Sequence, residues 1–429
     1  MTSPKEKLEM MLTETKEELG LEDYYLKAYE IERDVNYFNE TTYSLSMEWI
    51  PNELKDEDQE DYNPTGSAIV EKDLFTGRLN HIIFVHEVNL STKPLIQNPS
   101  KSGVIEWIEA ETGLSYEQEF MLTSESDGDY KFIACHNKVP LYPAGYIEVK
   151  LGEDGELVNF IKIGQFREGK PVLDEAYTLT KDMIEEKMKE QIKLVQIPDE
   201  ENMILEKLYG VEEIFVSNDG KKTIPFDLSG HENPILYCDD LISWEGEAEE
   251  TDIIQEDFPD IDEHFNLDLV TIEQAFAREA SPSEEIFKNL DKDEAIKSVQ
   301  NFLHAENPED SGVWILSELY ADSGFVHAIL RQAEETLGLE KMVLILDSET
   351  YEVVNYFDNQ DFIAVYASFD EAENVKVTKD EAYELLKDFI SLQACYVYDR
   401  ELDQYVLCGR IDSNHGVHGT HGQVVIFNE

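Results

Sequence analysis

The sequence predicts an α+β fold made of tandem repeats, each a helix packed on an antiparallel β-sheet, arranged in two halves. Two observations predict this class. A strand–acidic turn–strand pattern recurs at residues 69–84, 147–161 and 343–357, and internal repetition of this kind is typical of a chain built from one duplicated unit. Helical segments precede runs of strands, an order that is typical of helices packed on antiparallel sheets.

The repeats also predict a domain division. A first half is expected at residues 1–240, with sub-units at about 1–90, 91–172 and 173–240, and a second half at residues 280–429. Residues 241–279 between them are predicted to form an acidic linker or long loop. The reason is that residues 245–261 contain a Pro but neither Lys nor Arg, a composition that is typical of exposed chain.

The first half begins with a predicted helix near residues 4–19. Strands are expected next, since the alternation of residues 41–49 places Tyr43, Leu45, Met47 and Trp49 on one side of a strand. An acidic loop is predicted at residues 55–64. The later sub-units are expected to begin with a helix near residues 101–112 and with a helix from Thr180 to about residue 195, whose first turn Thr180 can cap.

The second half repeats this order. Asp293-Glu294-Ala295 is predicted to open a helix that ends near residue 305, and strands are expected at residues 312–320 and 325–333. Residues 378–390 are predicted to form a helix with a capping box between Thr378 and Glu381. A tyrosine-rich hairpin at residues 395–408 and a strand at residues 423–427 close the chain.

Charge restricts the class of partner. The chain has 94 Asp and Glu residues against 34 Lys and Arg residues, a formal net charge of −60. Nucleic-acid binding is therefore not expected, because it depends on cations that neutralise phosphates. No segment reaches the roughly 18 apolar residues that a membrane-spanning helix needs, and residues 1–20 lack the apolar core of a signal peptide. The sequence predicts a cytoplasmic protein without a membrane span.

The four cysteines fit a reducing compartment. In the hairpin at residues 395–408 the register predicted from the sequence places Cys395 opposite Cys408 on one face. A cross-strand disulfide is conceivable there, although the compartment favours two buried thiols.

Several of these segments resemble a known family. The chain resembles the YcdB/YcdC repeated domain in three segments: Asp293-Glu294-Ala295 at a helix start, the acidic-turn hairpin at residues 343–357, and Asp380-Glu381-Ala382 before a tyrosine-rich hairpin. That domain is related to the PepSY (peptidase-propeptide-like) modules of bacteria. The first half is similar to the family in its turn Asp73-Leu74-Phe75-Thr76-Gly77, whereas the second half has Thr350-Tyr351-Glu352 in place of the glycine-containing end. The resemblance implies a PepSY-like fold in a bacterial protein. It implies no established catalysis, and PepSY relatives are thought to bind or restrain peptidases or to act as sensory modules.

The sharpest local motif is a histidine cluster near the carboxyl end. His415, His418 and His421 alternate with glycines in HGVHGTHG. Three imidazoles on flexible chain could bind a transition metal, yet the spacing is not that of a standard zinc site. A solvated glycine-rich turn is the other interpretation, and no other cofactor is indicated.

Catalytic signatures are missing from the sequence. His-Glu-x-x-His, Gly-x-Ser-x-Gly and Ser-x-x-Lys motifs do not occur. Residues 164–170 (GQFREGK) match the spacing of a phosphate loop, but Pro171 stands where the metal-binding Ser or Thr belongs, so we interpret this match as chance.

The sequence therefore favours a non-enzymatic binding or regulatory protein over an enzyme. The expected partner is a protein or peptide, with basic segments favoured by the acidic surface, bound by strand addition or in a groove beside a helix. The alternatives are a metal-binding protein or metal-dependent enzyme that uses His415, His418 and His421, and a purely structural acidic protein.

Overall fold

The structure is a computed structural model that describes residues 3–54, 63–167, 169–226, 233–246, 270–333, 341–359, 365–371 and 374–427. Two sequence predictions fall largely outside these ranges. They are the acidic loop, of which residues 55–62 are not described, and the acidic run of the linker, of which residues 247–261 are not described.

Strands are the predominant secondary structure of the described chain, at 42% against 22% helix. The helices are α1 (Pro4–Glu18), α2 (Lys101–Thr112), α3 (Glu185–Glu190), α4 (Ile272–Ala277), α5 (Pro282–Lys288), α6 (Lys292–Glu306) and α7 (Lys379–Leu386). The strands are β1 (Tyr24–Val35), β2 (Thr41–Pro51), β3 (Ala68–Asp73), β4 (Leu79–Phe84), β5 (Phe120–Ser126), β6 (Asp129–His136), β7 (Val139–Tyr142), β8 (Tyr146–Leu151), β9 (Leu157–Ile163), β10 (Ile192–Asp199), β11 (Ile204–Val211), β12 (Ile214–Ser217), β13 (Thr223–Pro225), β14 (Ile235–Ile242), β15 (Trp314–Asp322), β16 (Phe325–Gln332), β17 (Lys341–Asp347), β18 (Val353–Asp358), β19 (Asp370–Glu371), β20 (Ser391–Asp399), β21 (Gln404–Asp412), β22 (His415–His418) and β23 (Val424–Ile426).

The predicted fold class, tandem repeats of a helix on its own antiparallel sheet, is wrong. Helices are few, and strands from different predicted repeats join one continuous sheet. In particular β4 pairs with β9, with His81 opposite Ile161, which joins the predicted sub-units 1–90 and 91–172. The physical reason is that strand edges present unpaired backbone groups, and alternation in the sequence does not specify which edge satisfies them.

Contacts divide the chain into two compact units. The first contains the described residues of Met1–Val172, Asp262–Glu284 and Tyr398–Tyr405, and the second contains those of Leu173–Ile261, Glu285–Val397 and Val406–Glu429. Residues 270–284, partly within the predicted linker, therefore belong to the first unit.

The first unit is built on one antiparallel sheet. Its strands follow the order β1-β2-β3-β4-β9-β8-β6-β7, and β5 pairs with β6. Alternating residues of β2, among them Leu45 and Met47, are fully buried, as the alternation predicts. Helix α2 packs its Trp107 edge-on against Phe160 of β9, with ring centroids 5.0 Å apart.

In the second unit, one five-stranded sheet has the order β14-β15-β16-β17-β18. Helix α6 covers one face of this sheet, because its residues Ala295, Val299, Phe302 and Leu303 recur at helical spacing and share a buried cluster with Trp314. The helix begins within a residue of the predicted position, so this prediction is confirmed.

A second five-stranded sheet of this unit has the order β10-β11-β22-β23, with the short β19 parallel to β11. Helix α7 contributes Ala382, Tyr383 and Leu386 to a core that also contains Tyr209 and Val417. In the same unit β12 pairs on one side with β13 and on the other with β21.

The helix predicted from Thr180 to residue 195 is only partly correct. The structure has the short helix α3 (Glu185–Glu190), and the chain becomes strand β10 at Ile192. Thr180 makes no side-chain capping hydrogen bond. The β-branched and apolar residues at 192–197 pair with β11 along their whole length, so tertiary pairing outweighs helix propensity there.

The predicted acidic-turn hairpins are confirmed as β3–β4, β8–β9 and β17–β18. Two of them share one turn geometry. Asp73 Oδ1 accepts hydrogen bonds from the Thr76 amide (2.6 Å) and hydroxyl (2.7 Å), and Asp347 Oδ1 accepts the same pair from Thr350 (2.8 and 3.0 Å). The fifth turn residue has a positive φ in both, 67° at Gly77 and 59° at Tyr351.

Candidate functional site

A groove in the second unit runs between α7 and the turn that follows β22. It has a volume of about 620 Å³. Its lining consists of Lys376, Val377, Asp380, Glu381, Glu384, Leu385, Thr420 and His421. Three carboxylates, one ammonium group and one imidazole therefore surround an apolar strip of Val377 and Leu385.

The start of α7 is fixed by the predicted capping box, which is confirmed. The Thr378 amide donates to Glu381 Oε2 at 2.8 Å, and the Glu381 amide donates to Thr378 Oγ1 at 3.3 Å. The hydrogen bond from the Thr378 amide lowers the pKa of the Glu381 carboxyl. Glu381 is thus held ionised at the amino end of the helix, where negative charge is favourable.

The exposed side of α7 carries both charge and apolar surface. Ala382, Tyr383 and Leu386 are buried, whereas the Leu385 side chain is 41% exposed. Glu384 forms an ion pair with Lys387 at 2.6 Å, a hydrogen bond that lowers the pKa of its carboxyl. Asp380, Glu381 and His421 were identified in the sequence, whereas Glu384 and Leu385 were not, although the pattern of residues 378–390 indicates a helix with one acidic side.

The opposite wall of the groove is held by backbone hydrogen bonds. The amides of Lys376 and Val377 both donate to the Gly419 carbonyl oxygen, at 2.8 and 2.9 Å. The Gly419 amide donates in turn to the Lys207 carbonyl oxygen at 2.7 Å. The turn is therefore tied both to β11 and to the segment that enters α7.

One glycine of the histidine-rich segment has a packing role. A Cβ atom at Gly416 would lie 2.4 Å from Cζ of Phe427 and 3.1 Å from the carbonyl oxygen of Tyr209. Because contacts below about 3 Å are not tolerated without displacement, a side chain at this position of β22 would displace the Phe427 ring. Close packing thus explains part of the composition that the sequence analysis related to metal binding.

The three histidines do not converge. The ring of His415 stacks on Phe389 with centroids 4.2 Å apart, and strand alternation places His415 and His418 on opposite faces of β22. The rings of His418 and His421 are 4.5 Å apart. His418 Nδ1 lies 3.8 Å from Glu206 Oε2, so His418 has one imidazole and one carboxylate as separate neighbours.

Across the described ranges, no three His, Cys, Asp or Glu side chains are grouped so that they could hold a metal ion. Binding of a transition metal by His415, His418 and His421 stays a prediction. It would require His415 to leave its stacking partner Phe389.

The segment that resembles a phosphate loop has another role. Lys170 Nζ lies 2.9 Å from Glu40 Oε1 and 2.9 Å from Asp403 Oδ1, and it lies over the Phe38 ring at 5.1 Å from the centroid. Burial opposes the charge of this ammonium group, but the two carboxylates outweigh it and raise the pKa of Lys170. The Lys170 ammonium group is therefore ion-paired with these two carboxylates.

Cys395 and Cys408 are buried free thiols. Burial raises the pKa of the Cys395 thiol to about 12. The Cys395 sulfur is thus a poor nucleophile at neutral pH, because the reactive species is the thiolate.

Comparison with known proteins provides little information about the family of this chain. No protein-family model matches the sequence, and no curated protein matches it either. Among solved structures, the chain is similar to the C-terminal domain of Bacillus megaterium YpeB, with 12% sequence identity and a TM-score of 0.25 over 51% of this chain and 97% of that one. A likeness at this level supports no conclusion about the chain. Within the described residues, no helix is both long and apolar enough to cross a membrane.

Proposed function

We propose that this chain is a non-enzymatic binding protein and that the groove beside α7 receives a basic, partly apolar segment of a protein partner. The observation that carries the proposal is the lining of the groove. Asp380, Glu381 and Glu384 stand around the apolar strip formed by Val377 and Leu385.

The charges of the groove favour a cationic ligand. Lys376 and the ion pair of Lys387 with Glu384 offset two of the three carboxylates, and the net charge of the whole chain, −60, attracts cations from a distance. Such long-range attraction speeds encounter and selects the sign of the partner's charge, but it contributes less to affinity. Asp380 makes no ion pair within the described part of the chain, so its carboxylate is available to a ligand.

Affinity would come from apolar contact. Leu385 on α7 and Phe389, just beyond the end of this helix, have exposed fractions of 41% and 44%, so both offer apolar surface to a ligand. A basic amphipathic segment would bury these side chains while one of its cations meets Asp380. This is the helix-in-groove mode of peptide recognition.

The proposal extends to the class of protein that the groove binds. The resemblance of the sequence to PepSY-related proteins makes a peptidase, or its precursor, one candidate to test. In that case a basic surface segment of the peptidase would occupy the groove, and binding would restrain it.

The experiment starts from selection of peptides that bind the full chain at physiological salt, followed by affinity measurement on the selected peptide by fluorescence polarisation. We expect Asp380→Asn to weaken binding by roughly 2- to 5-fold, the range for one exposed ion pair. Leu385→Ala should weaken it by roughly 5-fold, since part of a leucine side chain no longer leaves water.

Two matched control variants distinguish binding in the groove from nonspecific attraction to the acidic surface. Asp293 occupies the same position in the first turn of α6 as Asp380 does in α7, so Asp293→Asn should leave the affinity within about twofold. Leu241 is exposed elsewhere in this unit, and Leu241→Ala should behave likewise. Selection of no peptide at physiological salt, or equal effects of Asp380→Asn and Asp293→Asn, would contradict the proposal.

A further inference from the structure

Residues 270–284 lie across the first unit as a bound peptide would. They begin with the six-residue helix α4 and continue as chain that enters α5. The receiving face, as we call it, consists of α1, β1, β2 and the turn at Asp73. Part of this segment, residues 270–279, was predicted to be linker, although Thr271 and Gln274 form a capping box whose spacing is visible in the sequence.

Aromatic contacts anchor the helical part of the segment. The Phe276 ring meets Phe75 edge-on with centroids 6.1 Å apart, and the ammonium group of Lys7 lies 5.4 Å from the centroid of the same Phe276 ring. The Arg278 guanidinium lies over Phe75 at 4.0 Å. These edge-on and cation–π contacts select an aromatic residue followed two positions later by a cation.

The receiving face binds the rest of the segment mainly through main-chain groups. The Val270 amide donates to the Ile31 carbonyl oxygen on β1 at 3.2 Å. The Ala280 carbonyl oxygen accepts from Arg33 at 3.4 Å, and the Glu279 carbonyl oxygen accepts from the Tyr43 hydroxyl. Recognition of backbone groups in this way is typical of peptide-binding sites.

Further hydrogen bonds join the end of the segment to the residues around Thr41 on the receiving face. The Ser281 amide donates to Thr41 Oγ1 at 2.8 Å, and the Thr41 amide donates to Glu284 Oε2 at 3.0 Å. Asn39 Nδ2 donates to the Glu284 carbonyl oxygen at 3.2 Å. Glu284 is thus held by both its side chain and its main chain.

The segment is only partly buried, through Ala275, Ser281 and Ser283. Residues 277–280 are exposed, and a cavity of about 350 Å³ remains between Arg278, Ala280 and Glu284 on one side and Asp73 and Thr42 on the other. A helix of six residues is far below the roughly 12 residues that an isolated helix needs for marginal stability. Helix α4 therefore depends on the receiving face for its conformation.

We propose that the receiving face is a peptide-binding site that the chain's own residues 270–284 occupy reversibly. The site accepts a helical turn with an aromatic residue, a cation two residues later, and a following stretch that offers main-chain carbonyl groups. A partner with this chemistry competes with the chain's own segment. The fraction of molecules in which residues 270–284 occupy the receiving face therefore determines how readily the partner binds. This proposal is independent of the groove beside α7.

The test uses the full chain and a labelled synthetic peptide of residues 268–286, with binding followed by fluorescence polarisation. Weakening the resident segment by Phe276→Ala together with Arg278→Ala should increase the apparent affinity for the peptide at least about 10-fold over the unmodified chain, because the competing segment occupies the site less. Adding Phe75→Ala to this variant should abolish the gain. Glu273 is exposed and makes no hydrogen bond or ion pair among the described residues, so Glu273→Gln should change nothing.

Hydrogen exchange on the unmodified chain gives an independent answer if the variants fold poorly. Reversible release requires the amides of Val270 and Ala275 to exchange through an opening much less costly than that of the β2 amides. Exchange of both sets only on global unfolding, or failure of the weakened but folded variant to bind the peptide, would overturn the proposal.

Discussion

The Asp347 carboxylate organises the turn between β17 and β18. Its Oδ1 atom accepts hydrogen bonds from the amides of Glu349 and Thr350, at 3.0 and 2.8 Å, and these bonds, the Thr350 amide first, lower the pKa of Asp347. Tyr351 adopts a positive φ of 59° where the related turn has Gly77. Its hydroxyl accepts from the Asp291 amide at 2.7 Å, a contact that helps to offset the backbone strain.

Substitution of this residue should change the pH dependence of stability. Because the folded-state pKa of Asp347 lies below the unfolded value of about 3.9, its contribution is complete above that value and is lost as pH falls through the folded pKa. Asp347→Asn keeps an oxygen acceptor but does not titrate. We expect it to lower the free energy of unfolding by roughly 0.5–1.5 kcal/mol at pH 7, with the difference shrinking below about pH 4.

Urea unfolding between pH 3 and pH 7 measures this difference. The neighbouring Glu349 is exposed, and Glu349→Gln should leave the profile unchanged. A difference between Asp347→Asn and the unmodified chain that stays constant down to the lowest pH would show that ionisation of Asp347 does not stabilise the turn.

At the scale of elements, β22 shows how a central strand can depend on one small residue. It pairs with β11 on one side and β23 on the other, and Phe427 covers its Gly416. Gly416→Ala should lower the free energy of unfolding by roughly 1–3 kcal/mol, the usual cost of overpacking. Chemical denaturation measures this cost.

A double-mutant cycle identifies the cause. Phe427→Ala removes the nearest ring atoms but leaves the Tyr209 carbonyl oxygen 3.1 Å from the new Cβ. Part of the loss should therefore be recovered when Gly416→Ala is combined with Phe427→Ala. If the losses in unfolding free energy of the two substitutions are strictly additive, the Phe427 ring is not what excludes a side chain at position 416.

Elements specified by near neighbours could be predicted from the sequence, and strand partners could not. The predicted capping box of α7 lies within four consecutive residues, and the acidic-turn hairpins are equally local; the capping boxes of α1 and α4 are as short in sequence but were not predicted. By contrast, β12 pairs with β21 and β11 pairs with β22 across some 200 residues of sequence. The groove beside α7 depends on the second of these pairings, so only its separate pieces, the helix and the histidine-rich turn, could be found in the sequence.

At the scale of the whole molecule, like charge opposes folding. A formal charge of −60 distributed over one chain repels itself in the compact state, and the ion pairs among the described residues are mostly between exposed groups that contribute little individually. Buried apolar side chains of the two units must therefore supply most of the stabilisation against this repulsion.

Salt should consequently stabilise the protein. Raising NaCl from about 10 mM to about 0.5 M shortens the screening length from roughly 30 Å to a few ångströms, so we expect the midpoint of urea unfolding to rise. KCl and tetramethylammonium chloride should act as NaCl does at equal ionic strength, because screening does not distinguish monovalent cations. A large rise with one cation alone would instead indicate a specific ion site, and no rise would show that the carboxylates are spaced widely enough for water to screen them without salt.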